Sequence, residues 1–143
     1  MSLAGLLYAI GAAVTWGSVY ALDQRILRDA SPFTLLFVGS LITAILLLPI
    51  AFFQRSSLTP IFSVSGKVWT LIILSLLLAA LANFFIFSSI KLLDASTASI
   101  FEIAYPFFVV LFSMVIFGTA PSWYFLIGAL LIFAGAALII GTS

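Results

Sequence analysis

An all-α integral membrane protein with five transmembrane helices is the fold class this sequence predicts, and three observations predict it. Of the 143 residues, 65% are hydrophobic and only 6% are charged, whereas a soluble domain carries about 25% charge. Nine charged side chains cannot clothe a globular surface, so the solvent is lipid. The apolar residues fall into five runs, each near the roughly 20 residues that span a bilayer as a helix. No run alternates with the period of two expected of a barrel strand.

Eight of the nine charges fall between apolar runs, and these gaps set the expected boundaries. The first helix is expected over residues 3–22, ended by Asp23, Arg25, Arg28 and Asp29. The N-terminal MSLAGLLYAIG has no basic n-region and reads as part of the mature protein rather than a signal peptide. The second helix is expected over 32–53, opened by Ser31-Pro32, where proline suits the first turn because its missing N–H would be unpaired anyway. Residues 54–67 form the one long loop, polar and containing Pro60 and Gly66. The third helix is expected over 68–90, entered through Lys67 and Trp69 at headgroup level. Lys91 and Asp94 bracket a tight connection to the fourth, 95–117, and GTAPS at 118–122 turns the chain into the fifth, 123–141. All five are read as one domain, 1–143.

Close helix packing is signalled by small residues, which let helices approach in lipid. Gly128 and Gly135, seven apart, share a face of the fifth helix, and Gly5, Ala9 and Ala12 line a face of the first.

The fourth run holds the sharpest functional signal. Glu102 is a carboxylate inside an apolar span, a placement that costs about 2.5–3.5 kcal/mol or more and marks a functional group by default. Pro106 lacks the N–H that would bond the carbonyl four residues back, which is that of Glu102 itself. At 100° per residue Glu102 shares a helix side with Ala95, Ala98, Ser99, Tyr105, Pro106, Val109 and Ser113. That side is small and polar, while the opposite one is rich in Phe, Leu and Ile. The competing structural explanation is a Glu102 hydrogen-bonded to Asn83 or Tyr105 that merely holds helices together.

Depth follows from the helical rise. Counting inward from the charged ends, Glu102, Asn83 and Ser40 lie about 12 Å deep and Trp16 about 10 Å. The most polar or amphipathic side chains of four helices thus share a layer. Orientation is not biased: Arg55, Lys67 and the N-terminal amine fall on one side, Arg25, Arg28 and Lys91 on the other. An unbiased chain suits insertion both ways round. Two antiparallel copies would place their polar layers about 6 Å apart across the midplane of a core about 30 Å thick, where inverted-repeat transporters hold their substrates.

With these residues laid out, the chain resembles a single EamA-type domain of the drug/metabolite transporter superfamily. Thr15-Trp16-Gly17-Ser18 is similar to that family's WGS-like motif, followed by Ser31-Pro32. Residues 89–99, SIKLLDASTAS, resemble the junction of its third and fourth helices, with a PFF run after it. Phe117-Gly118, Gly128 and Gly135 resemble its closing pattern. Order and spacing together make the resemblance specific. The chain departs from the pattern at Thr119-Ala120, where a glutamate is common, and at Phe37-Val38-Gly39, where an arginine is often found. Glu102 is not a general family mark, so its role rests on the membrane argument alone.

The resemblance implies one half of a ten-helix inverted-repeat transporter, its other half supplied by a second molecule. The expected function is secondary-active transport, as an exporter of a small metabolite or amphipathic cation. It would work by alternating access as an antiparallel dual-topology homodimer in the cell (inner or plasma) membrane. Expected substrate- or proton-binding residues are Glu102, Tyr105, Trp16, Asn83, Ser40 and Ser99, with Pro106 the kink and Gly128 and Gly135 the packing positions. The alternative is a non-transporting half-domain subunit that docks with a different membrane protein. The expected partners are the lipid bilayer and a small-molecule substrate. A net charge of +1 gives no footprint for nucleic acid. No cofactor is expected: without His or Cys the chain lacks the commonest metal ligands. Enzymatic hydrolysis is disfavoured, since the spans offer one carboxylate and no second acid–base group beside it.

Overall fold

The computed structural model describes residues 2–141; Met1, Thr142 and Ser143 of the expected domain lie outside the described residues. The chain is helical, with no strand among the described residues. In order it forms α1 (Leu3–Ile26), α2 (Pro32–Phe53), α3 (Arg55–Leu58), a 3₁₀ turn (Thr59–Ser63), α4 (Gly66–Leu92), α5 (Ala95–Glu102), α6 (Tyr105–Phe117) and α7 (Trp123–Gly141). Five segments are long and apolar enough to cross a bilayer: α1, α2, α4, α5 with α6 taken together, and α7. The chain is a multi-pass membrane protein.

The residues up to Ala21 together with those from Leu92 onward form one compact unit, and Leu22–Lys91 forms another. Within both, large apolar side chains face outward, as lipid solvent requires: Phe53, Phe62, Val115 and Tyr124 are among the most exposed. Several hydroxyl and amide groups inside the spans are satisfied on their own helix. Thr15 donates to the Gly11 carbonyl at 2.8 Å, Ser18 to Val14 at 3.0 Å and Asn83 to Ala79 at 2.9 Å. In hydrocarbon there is no water to do this.

The bounds of α2 and α7 coincide with the expected ones, because both start at chemical punctuation. Ser31 caps α2 by accepting from the Thr34 amide at 3.0 Å, with Pro32 in the first turn. The Ser122 hydroxyl takes the Phe125 amide at 3.2 Å just ahead of α7. The expected end of the first helix at residue 22 is corrected to Ile26. Asp23 and Arg25 do not stop the helix: Arg25 complements its C-terminal dipole and pairs with Asp29 at 2.8 Å. The turn closes where the Asp29 and Ala30 amides both return to the Ile26 carbonyl, at 3.0 Å each. The third helix begins at Gly66 and ends at Leu92 rather than spanning 68–90, and the long loop contains α3 and the 3₁₀ turn.

The fourth span corrects the expectation most. The run 95–117 is two helices, separated by Ile103 and Ala104. The Ile103 amide still bonds Ser99 at 3.1 Å, but the Ala104 amide turns to Phe101 at 3.4 Å and that of Phe107 to Ala104 at 3.1 Å. The Glu102 carbonyl, which Pro106 cannot serve, is passed over by both.

Two predictions arise from the helix ends. Gly118 closes α6 in the left-handed region at φ 66°, where a side chain costs about 1–2 kcal/mol. A Cβ there would meet nothing within 4 Å, so the cost of Gly118→Ala is conformational, and thermal unfolding in detergent is expected to show a loss of about that size. Asp94 caps α5, accepting the Thr97 amide at 2.9 Å and the Thr97 hydroxyl at 2.7 Å. These two bonds hold its carboxyl below the usual aspartate range. A lowered value in the folded state means that the stabilisation is present above the unfolded value of about 4 and is lost as pH falls below it. The protection of the Thr97 amide, its exchange relative to the intrinsic rate at each pH, should therefore fall on acidification in the wild type, and change far less in Asp94→Asn.

Candidate functional site

Glu102 is the last residue of α5, held half-buried at the helix break. Its Oε2 accepts a hydrogen bond from the Tyr20 hydroxyl of α1 at 2.5 Å. The Tyr20 ring, buried in the chain, lies 5.7 Å from that of Trp16, tilted at 57°. Trp16 sits one turn earlier on α1 and is 51% exposed. A carboxylate, a phenol and an indole thus form a connected group within one compact unit. Ala95 and Ala98 of α5 are buried, as expected of the small side of that helix.

Electrostatics make this a place for positive charge. Glu102 stands at the C-terminal end of α5, where the helix dipole is negative, and it adds its own carboxylate. The exposed Trp16 face can stabilise a cation within about 6 Å by its ring quadrupole. The arrangement can bind a proton or an organic cation on one oxygen pair, and it has no base–nucleophile couple for hydrolysis.

The remaining expected residues are placed differently. Tyr105 does not share Glu102's environment: the Ile103–Ala104 turn re-phases α6 relative to α5, and Tyr105 is 62% exposed. Ser99 is spent on the Ser96 carbonyl at 2.8 Å. Ser40 and Asn83 belong to the other compact unit; Ser40 is exposed, and Asn83 bonds its own helix. Glu102 is therefore served by Tyr20, not by Asn83 or Tyr105. Pro106 is the second residue of α6, immediately after the break.

Gly128 and Gly135 are not close-packed inside the chain, since a Cβ at either would meet nothing within 4 Å. Gly128 instead borders an apolar cavity of about 140 Å³ between the break and α7, walled by Ile103, Pro106 and Phe107 on one side and Phe125 and Phe133 on the other. The Phe107 and Phe133 rings meet edge to face at 5.8 Å. The break is thus tied to α1 through Glu102 and faces empty apolar space toward α7.

Tyr20 is the partner of Glu102 that sequence reasoning missed. Its signal was available: Trp16, Tyr20 and Asp23 recur at i, i+4 and i+7, one face of a helix. Ending the first helix at residue 22 hid that stripe.

A family model, the EamA-like transporter family, matches residues 3–141. The chain belongs to this family. It carries one EamA domain of the drug/metabolite transporter superfamily over nearly its whole length, the half-transporter unit that the five spans describe. No curated protein and no solved structure matches it. EamA members are membrane transporters rather than enzymes.

Proposed function

We propose that this EamA protein is a secondary-active exporter of a small metabolite or amphipathic cation in the cell (inner or plasma) membrane, proton-coupled through Glu102. The observation that carries the reading is the Tyr20–Glu102 bond at the helix break, beside the exposed Trp16 ring. Proton and cation compete for the same carboxylate, so each loads only after the other has left. In this reading the working unit is an antiparallel homodimer, whose second copy supplies the inverted half. The unbiased Lys and Arg distribution permits both insertions.

The test uses the purified chain in proteoliposomes with an aromatic quaternary ammonium probe. Uptake driven by an imposed pH gradient, and abolished by a protonophore, is expected. Uptake that ignores the gradient refutes proton coupling. Failure to transport alone, with transport regained only beside a different membrane protein, selects the half-domain subunit instead. Topology is read separately. The chain has no cysteine, so Arg55→Cys supplies one labelling site. An impermeant reagent is expected to label about half of it in intact cells and the rest only in inverted vesicles; labelling from one side alone excludes dual insertion.

A further inference from the structure

The first span carries a second carboxylate that the Glu102 site does not use. Asp23 lies inside α1, only 6% exposed, and its Oδ2 has no hydrogen-bond partner. An ionised carboxylate in such a place forfeits solvation worth several kcal/mol unless a cation or several donors replace the water. No cation does so. Arg25 points 200° around the helix from Asp23 and is given to Asp29 at 2.8 Å. Lys91 donates to the Ala30 carbonyl at 2.6 Å, and Arg28 lies beyond the end of α1. Among the described residues no ion pair within 4.0 Å includes Asp23. The nearest titratable group on its side of α1 is Tyr20, one turn earlier, whose hydroxyl goes to Glu102. The last acid, Asp94, is held by Thr97.

We propose that Asp23 is a second proton-binding site, loaded in the state described here. A proton taken from water converts the carboxylate to the neutral acid, which costs far less to bury than the charged form; it returns to water when a change of conformation exposes the residue. Its use in transport rests on the reading above, but its occupancy does not.

The test is infrared spectroscopy of the full chain in lipid membranes at neutral pH, with carboxyl-¹³C aspartate incorporated. The chain has only four acidic residues, and Glu102 is the one that is not aspartate, so the label separates Asp23 from it. The expected result is an acid carbonyl band that shifts with the label, disappears in Asp23→Asn and survives in Glu102→Gln. Aspartate intensity confined to the ionised carboxylate bands, or a labelled acid band that persists in Asp23→Asn, overturns the proposal. Should Asp23→Asn fail to fold, the isotope shift in the wild type decides alone. Asp29 is exposed and paired with Arg25, and Asp94 is kept ionised by Thr97, so neither supplies the band. A chain that shows the band yet transports nothing would uphold Asp23 while sinking the transporter reading.

Discussion

Glu102→Gln is expected to weaken binding of an organic cation by about 30-fold or more and to flatten the pH dependence of transport. The amide has almost the same shape, and its carbonyl oxygen can still accept from the Tyr20 hydroxyl, so the break and its tie to α1 remain. What disappears is the charge. Removing one partner of a desolvated charge pair costs about 2–5 kcal/mol, and each 1.4 kcal/mol is tenfold in affinity. Equilibrium binding of the ammonium probe at several pH values measures this directly, with gradient-driven uptake alongside. Tyr20→Phe is the companion variant: it keeps the charge and removes the donor seen at 2.5 Å, so binding should persist with an altered pH response. Unchanged affinity and pH profile in Glu102→Gln would leave the carboxylate a structural tie and return the site to Trp16 alone.

The sequence made the spans legible because lipid imposes one strong demand, about 20 apolar residues per crossing. Where a boundary also carried capping chemistry, as at Ser31-Pro32 and Ser122-Trp123, it was legible to the residue. Charges misled where they were read as stops. Asp23 and Arg25 look like loop punctuation, yet a helix ends where its backbone groups find other partners, here at the Ile26 carbonyl. Tertiary pairing was the least legible part. Asn83 and Glu102 lie at equal computed depth, but depth says nothing of azimuth or of cheaper local bonds, and Asn83 is satisfied one turn back on its own helix. Tyr20 was hidden for the same reason in reverse. The spacing of Trp16, Tyr20 and Asp23 marks a face of α1, but only the placement of α1 beside α5 shows the Tyr20 hydroxyl on the carboxylate.

Pro106→Ala should join α5 and α6 into one helix, and its effects should separate motion from binding. In the present structure the proline costs the helix little, because it occupies the second position of α6 after a two-residue interruption. Elsewhere in a helix it would cost about 3 kcal/mol. The break therefore exists where the sequence makes a break cheap. Alanine supplies the N–H that the Glu102 carbonyl lacks, a net gain of about 1 kcal/mol for the bond, and more if continuous helix follows. Exchange of the amides from Ile103 to Phe107 is expected to slow by about 5- to 140-fold, from about 1–3 kcal/mol at 1.4 kcal/mol per tenfold. A continuous helix also brings Tyr105 to within 60° of Glu102 around the axis, and the shifted walls reduce the 140 Å³ cavity beside α7. The carboxylate stays, so the probe should bind about as before, while turnover is expected to fall if transport needs the interruption between α5 and α6. Slower exchange with unimpaired turnover would show that transport does not need the break. Unchanged exchange would show that Ile103 and Ala104 are held in their turn by the Tyr20–Glu102 tie rather than by the missing N–H, and Tyr20→Phe in the same background would then close the helix.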